Sequence, residues 1–290
     1  MVTIAGRPNV GKSTLTNALV GEKISIVSNK PQTTRNRIFA ILNKDDTQIV
    51  LTDTPGFHRA KNRLGDYMVK CVEESVADVD VIALVVEPIP NVGVQEEQLI
   101  AKIKATRAPS ILVINKIDTV EKPELLEVIA AYSAKHNFDA IIPVSARKKQ
   151  GLDELIEEMK KHAIEGPQLF PDDMVTDQPE RQVCAEFIRE KLLLCLQHEI
   201  PHGTAIEITR FAQRDSDDVI EVEATIYCER DSHKGIIIGK KGAMLKKIGE
   251  MARKDMETFM GAKVYLQTWV KVKENWRDSA GLLRNFGYSE

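Results

Sequence analysis

Hydrophobic patterning divides the chain into two stretches of different texture. In residues 1–166, short apolar runs (Val2 to Ala5, Ile49 to Leu51, Val81 to Val86, Ile111 to Ile114, Ile141 to Val144) alternate with longer segments of helical period, such as Leu64 to Val76 and Leu152 to Ile164. Apolar runs without polar alternation predict strands covered on both faces. Their alternation with helices predicts a parallel sheet with right-handed crossovers, a doubly wound α/β domain. The last helix is expected to end near Gly166, and residues 167–179 (PQLFPDDMVTDQP), with three prolines and three aspartates, read as a linker.

Residues 180–290 have another pattern. Arg181 to Leu196 has helical period, and Ala205 to Arg210 and Val219 to Cys228 alternate like half-exposed strands around a turn at Asp215 to Asp218. His233 to Ile248 and a helix-forming stretch to Phe259 precede a last alternating strand, Lys263 to Lys273. The predicted order is α-β-β-α-α-β, an α+β domain. Trp269 on the last strand is expected to pack in its core. No internal repeat is present.

Composition supports two folded domains: 290 residues, 43% hydrophobic and 29% charged, lie in the globular range. No apolar run approaches the roughly 20 residues that span a bilayer, and Met1 begins no signal-peptide pattern. The first strand starts almost at Met1 with little lead-in, so upstream residues are expected. Cys71, Cys184, Cys195 and Cys228 share no C-x-x-C spacing, which suits reduced thiols in a cytosolic compartment, each a small buried hydrophobe. The net charge of -3 argues against a polyanion partner until it is divided: Arg230 to Arg277 carries twelve Lys/Arg against five Asp/Glu, and the remainder is acidic.

Chemistry gathers at the ends of the predicted strands. Gly6-Arg7-Pro8-Asn9-Val10-Gly11-Lys12-Ser13 matches G-x-x-x-x-G-K-[ST] between a strand and the helix beginning at Thr14. Its glycines let backbone N–H groups turn inward around phosphate oxygens, Lys12 adds a mobile cation, and the Ser13 hydroxyl suits Mg²⁺. Asp53-Thr54-Pro55-Gly56, Asn115-Lys116-Ile117-Asp118 and Ser145-Ala146 each follow a later strand. Ligands of open parallel sheets bind at the carboxyl ends of strands, so these motifs should share one crevice. A carboxylate at Asp118 accepts both the ring N–H and the amine of guanine but would face adenine with a buried unpaired acceptor, which selects GTP over ATP. Asn115 should tie this loop to the phosphate loop, the Lys116 stem should cover the base, and the Ala146 N–H should read the guanine carbonyl.

These boxes resemble the translation-factor-like class of P-loop GTPases. Within that resemblance, Gln32-Thr33-Thr34-Arg35 is similar to the first switch, with Thr34 favoured over Thr33 as the residue bonding Mg²⁺ and γ-phosphate. Asp53 should reach Mg²⁺ through water, and the Gly56 N–H should touch the γ-phosphate. Phe57 stands where Ras-like enzymes have a water-orienting glutamine, and it cannot hydrogen-bond. Slow intrinsic hydrolysis is therefore expected; in members similar in this respect the missing polarity comes from a potassium ion, a backbone group or a partner, and the resemblance implies potassium help through Asn9. The catalytic set is Lys12, Thr34, Gly56 and Asn9.

Gly239-Lys240-Lys241-Gly242, followed at once by a helix, resembles the G-x-x-G loop of a KH domain of the second, prokaryotic type, which clamps the sugar-phosphate of about four nucleotides. Lys240 and Lys241 suit phosphate contacts, and His233, Lys234, Lys246, Lys247 and Arg253 extend the basic surface. Ile236 to Ile238 are expected to floor a groove under single-stranded bases. With fifteen aromatics in all, recognition should rest on backbone clamping more than stacking.

Over essentially its whole length the chain resembles the bacterial Era family, a P-loop GTPase domain followed by a KH domain. The resemblance implies GTP/GDP and Mg²⁺, binding near the 3′ end of small-subunit ribosomal RNA and a role in assembling that subunit. It also implies a monomer in the cytoplasm with peripheral association with the inner membrane. A tRNA-modifying GTPase, whose G domain sits inside a helical domain, and a nucleotide-gated regulator whose basic end binds an acidic protein are the alternatives. An enzyme with tandem G domains is disfavoured, since there is one P-loop.

Overall fold

The computed structural model describes residues 1–57, 60–77, 79–214 and 218–288, so residues 215–217 of the turn expected at Asp215 to Asp218 lie outside the described residues. The first stretch forms β1 (Val2–Ala5), α1 (Lys12–Val20), β2 (Ile38–Lys44), β3 (Thr47–Asp53), α2 (Arg63–Ala77), β4 (Val81–Val86), α3 (Val94–Thr106), β5 (Ser110–Ile114), α4 (Lys122–Ser133), β6 (Ala140–Pro143) and α5 (Leu152–Lys160). These strands make one sheet in the order β2-β3-β1-β4-β5-β6. β1 and β3 to β6 are parallel, whereas β2 runs antiparallel to β3 in register Ile38↔Asp53 to Lys44↔Thr47. The sheet is thus mixed, not wholly parallel: Asp45, at φ 54°, turns the chain back too tightly for a crossover.

Period-two alternation explains the two layers of helices. Val81, Ala83 and Val85 of β4 face a core shared with Leu15 and Leu19 of α1 and Leu155 of α5. Ile82, Leu84 and Val86 face the opposite core with Val72 of α2, Leu99 of α3 and Val128 of α4. No face of β4 is left for polar residues, hence its unbroken apolar run. The edge strand β2 is covered by the segment at Val175 and Thr176, where the Ile41 N–H donates to the Val175 carbonyl, 3.0 Å; the Leu169 and Phe170 N–H groups donate to Gln48 Oε1 of the adjoining β3 at 3.0 and 2.9 Å.

The second stretch forms α6 (Glu180–Cys195), β7 (Ala205–Gln213), β8 (Ile220–Cys228), α7 (Asp231–Ile238), α8 (Ala243–Met260), β9 (Val264–Val272) and a short α9 (Ala280–Asn285). Its sheet has the order β7-β8-β9, antiparallel between β7 and β8 and parallel between β8 and β9. A parallel neighbour needs a crossover, and α7 with α8 supplies it. One sheet face packs on the helices through Val222, Ala224, Ile226, Val264 and Val270, with Phe187, Ile248 and Met256 opposite.

Trp269 corrects an expectation. It is 43% exposed, beside Tyr265 at 48%, because inward positions on β9 fall at Val264, Leu266, Thr268, Val270 and Val272 and leave Trp269 on the other face. Trp276 is instead fully buried, in an aromatic cluster: its ring centroid lies 5.5 Å from Phe286 and 6.1 Å from Tyr288, and its indole N–H donates to the Gly203 carbonyl, 2.9 Å. Truncating such a residue to alanine costs about 3–5 kcal/mol. All four cysteines are free thiols, three of them buried.

The chain folds into two compact units that do not follow a single cut. One comprises Met1–Ser25, Thr34–Ala60 and Met68–Asp177; the other comprises Gln178–Glu290 together with Ile26–Thr33 and Lys61–Tyr67. Among the described residues no helix is long and apolar enough to cross a membrane.

Candidate nucleotide site and nucleic-acid interface

The path of the chain creates a crevice at β1. From β1 it moves to one side for β2 and β3, then returns across β1 to β4, so the crossovers diverge at the carboxyl end of β1. Gly6 to Ser13 occupy this point and open α1, whose unpaired N–H groups suit an anion. Asn9 at φ 68° and Gly11 at φ 97° curl the loop. Lys12 is buried, and its ammonium donates to the carbonyls of Gly6 (3.1 Å) and Arg7 (3.0 Å). Burial lowers its pKa to about 8 despite the opposing pull of Asp53. Val10 is fully buried, while Thr14 and Pro8 are half-buried.

Asp53, Thr54, Pro55 and Gly56 leave the end of β3. The Thr54 hydroxyl donates to the Ile4 carbonyl, 2.9 Å, locking this loop to β1. A side chain on Gly56 would place its Cβ 2.7 Å from the Pro8 Cα, so glycine is what lets this backbone touch the phosphate loop. Phe57 donates its N–H to the Gly6 carbonyl at 3.2 Å, packs against the β4 core, and has the Lys102 ammonium 5.6 Å from its ring centroid. Both carboxylate oxygens of Asp53 are buried without a hydrogen bond of good geometry. Burial raises its pKa, and Lys12 and the nearby Ser13 and Ser25 hydroxyls only partly offset this. The hydroxyls of Ser13 and Thr34 meet at 2.8 Å. A buried carboxylate lacking partners beside two converging hydroxyls is an oxygen donor set that fits Mg²⁺. Thr33 turns its hydroxyl elsewhere, donating to the Lys30 carbonyl (2.6 Å) and Ser28 (3.2 Å).

The base side is built from the ends of β5 and β6. Asn115 is buried, and its amide donates to the Val10 carbonyl, 2.9 Å. The Ser145 hydroxyl donates to Asp118 Oδ1 at 2.6 Å, which lowers the Asp118 pKa and keeps the carboxylate ionised. The Ala146 N–H donates to Asn115 Oδ1 at 3.0 Å, so reading a guanine carbonyl requires that bond to be shared or exchanged. The Lys116 ammonium donates to the Asn9 carbonyl (2.7 Å) and to Glu87 (2.6 Å). Glu87, which also accepts from Arg7 at 2.9 Å, was not foreseen from the sequence. It follows β4 directly, so the strand-end rule that located the other motifs could have found it. Ser25 also escaped notice; its backbone is clamped by Asn17, 2.9 Å from the Ser25 N–H, and no motif marks it.

The GKKG loop joins α7 to α8. Gly239 (φ 72°), Lys241 (φ 52°) and Gly242 (φ 79°) make a tight turn, and a Cβ on Gly239 would lie 2.7 Å from the Met244 Cβ. Lys240, Lys241, Lys246 and Lys247 are exposed, and Lys234 is half-buried. Beside the loop lies a groove of about 410 Å³ walled by Gly242, Leu245, Gly249, Arg253, Leu266 and Thr268. Ile236 to Ile238 do not floor it: on helical α7 the three residues diverge, with Ile237 fully buried and Ile236 49% exposed.

Comparison with known proteins identifies the family. A family model described as a 50S ribosome-binding GTPase matches residues 1–116, and a KH domain model matches residues 199–277. The chain is 49% identical to GTPase Era of Ruminiclostridium cellulolyticum, covering 99% of this chain and 96% of that protein, and 50% identical to GTPase Era of Clostridioides difficile, covering 100% and 98%. The chain belongs to the Era family. An Era-family structure from Aquifex aeolicus bound to GDP·AlF4⁻ superimposes with a TM-score of 0.96 at 39% identity, covering 100% of this chain and 98% of that one. Another, equal in score, identity and coverage, holds MgGDPNP and nucleotides 1506–1542 of 16S ribosomal RNA.

Proposed function

We infer that this chain is a GTP-binding and GTP-hydrolysing switch that binds small-subunit ribosomal RNA near its 3′ end and assists assembly of that subunit. One observation carries the reading: Lys12, Asp53, Asn115, Asp118 and Ser145 converge on one crevice from the ends of β1, β3, β5 and β6, in a chain that also has a KH module. Lys12 leaves the Gly6 and Arg7 carbonyls for the phosphates, and the loop N–H groups close around them. Ser13, Thr34 and, through water, Asp53 would hold Mg²⁺, which neutralises charge on the phosphate oxygens. Asp118, fixed by Ser145, accepts from the guanine edge. Phe57 leaves the attacking water without a side-chain partner, so the intrinsic rate is slow and potassium held through Asn9 raises it; equal rates in potassium and sodium buffers would contradict that assignment. Loss of the γ-phosphate releases Thr34 and Gly56. Lys234, Ile236, Gly239 to Gly242 and Lys246 take the RNA backbone and flanking bases. We also propose that the chain is a monomer with peripheral inner-membrane contact.

Competition binding with GTP and ATP, together with RNA binding by Lys240→Ala/Lys241→Ala, tests the reading. GTP should win by orders of magnitude and the double variant should lose RNA affinity. Unchanged RNA affinity would favour a basic end that binds protein instead.

A further inference from the structure

The segment leading into the first switch, and a segment that follows Gly56, are built into the compact unit that carries the KH module. Ile26 to Thr33, immediately before the switch threonine, and Lys61 to Tyr67, after Gly56, belong to the unit of Gln178–Glu290. Ile26 is a member of that unit's hydrophobic core, packed with residues of α6. The Val27 N–H donates to Glu190 Oε1 at 2.9 Å. The Lys30 ammonium donates to the carbonyls of Leu193 and Leu196, where the last turn of α6 leaves acceptors unfilled and the helix dipole favours a cation. The guanidinium of Arg189, fully buried and fixed by Glu186, donates to the carbonyls of Gln32 (3.4 Å) and Thr33. In the second segment the Arg63 N–H donates to Asp278 at 3.2 Å, and the Tyr67 ring lies 6.3 Å from that of Tyr288.

We propose that Arg189 and Lys30 are positioning residues that hold the first switch from the RNA-binding unit, so that the nucleotide state of Thr34 is passed along one peptide bond to α6. The Thr33 carbonyl is gripped by a buried fork of donors, and the next residue, Thr34, has its hydroxyl 2.8 Å from Ser13. A buried guanidinium bonded to two successive carbonyls fixes the direction of the backbone that follows them. Movement of Thr34 on loss of the γ-phosphate therefore starts from a peptide plane that α6 holds. α6 packs directly on α8, the helix that follows Gly242 and walls the groove beside the GKKG loop. The two lysines of the loop touch RNA; Arg189 acts on it through the switch.

The inference rests on the proposed GTP-dependent RNA binding, and its test separates the two. Full-length wild type, Arg189→Lys and Lys30→Ala are compared for affinity toward a single-stranded RNA from the 3′ end of small-subunit ribosomal RNA, with a non-hydrolysable GTP analogue and with GDP. GDP affinity and melting temperature are measured in parallel. Arg189→Lys keeps the charge but lacks the fork, and Lys30→Ala sits at a half-exposed position that tolerates truncation. Wild type should show a ratio between nucleotide states within the roughly 5- to 150-fold range of ordinary coupling. Each variant should bring that ratio below about 3-fold while GDP affinity stays within about twofold, a pattern that simple loss of stability would not produce. Variants that fold and keep the wild-type ratio overturn the proposal; a wild-type ratio of one removes the RNA-switch reading itself.

Discussion

The nucleotide crevice and the GKKG loop both present lysines to phosphate, yet they are built on opposite terms. Lys12 is buried, its ammonium already bonded to two carbonyls, and Asp53, Asn115 and Asp118 are fixed by strand ends or by neighbours such as Ser145. Lys240 and Lys241 stand in solvent on a turn whose shape comes from backbone φ values. A buried site reads atoms one by one, since an unmatched polar group has no water to fall back on. An exposed basic turn reads charge spacing and backbone path, and each contact is modest and screened by salt. Base selectivity should therefore reside in the first region, and salt-sensitive affinity in the second.

Substitution at the base loop separates the two regions most sharply. Asp118→Asn should move preference from guanine toward xanthine by about 10⁴, measured as the ratio of dissociation constants for the two nucleotides. RNA binding in the absence of nucleotide should not change. Retained GTP preference would mean that Asp118 does not face the base.

Titration distinguishes the lysines next. Lys12 in the nucleotide-free protein titrates near 8 because burial disfavours its charge, and only the charged form pairs with phosphate. GTP affinity should be level below that pH and fall about tenfold per unit above it, with proton uptake on binding in that range. The sign follows from a folded value below the ordinary 10.5: between the two, the unfolded chain holds the proton more tightly, so the nucleotide-free protein gains stability as pH rises. Calorimetry in buffers of different ionisation heat checks the uptake. Affinity that stayed flat through this range would contradict the role given to Lys12.

At the GKKG loop, Lys240→Ala/Lys241→Ala should reduce the salt slope of RNA binding by about 2 and weaken all RNA sequences similarly. A loss confined to one sequence would instead place base reading at these lysines. The smallest change, Gly249→Leu, acts on shape alone. A Cβ there meets nothing within 4 Å, and the residue walls the groove. Replacing a helical glycine should raise stability by up to about 1 kcal/mol while RNA affinity falls. Parallel gains in both would show that RNA does not enter this groove.

Much of the crevice was legible in the sequence because its motifs are local and each sits at a strand end, where parallel-sheet topology must gather them. β2 was missed: Ile38–Lys44 carries an apolar run, but it follows a polar switch segment and turns at Asp45-Asp46, without the Gly or Asn that marks most hairpins. Trp269 lies outside the core because alternation along β9 decides its face and puts it with Tyr265, Gln267 and Lys271. The groove wall was misassigned for a similar reason, since three consecutive isoleucines cannot share one side of a helix. No local pattern announces the grip of Arg189 on the Gln32 and Thr33 carbonyls, because a long-range bond to backbone leaves no mark on either segment.

The central claim is that guanine nucleotide controls the hold on RNA. It is tested most directly by titrating the wild-type chain with a single-stranded RNA from the 3′ end of small-subunit ribosomal RNA, in saturating non-hydrolysable GTP analogue and in saturating GDP at the same moderate salt. Tighter binding with the GTP analogue, lost in a scrambled RNA, is the predicted result; equal affinity in the two nucleotide states would contradict it.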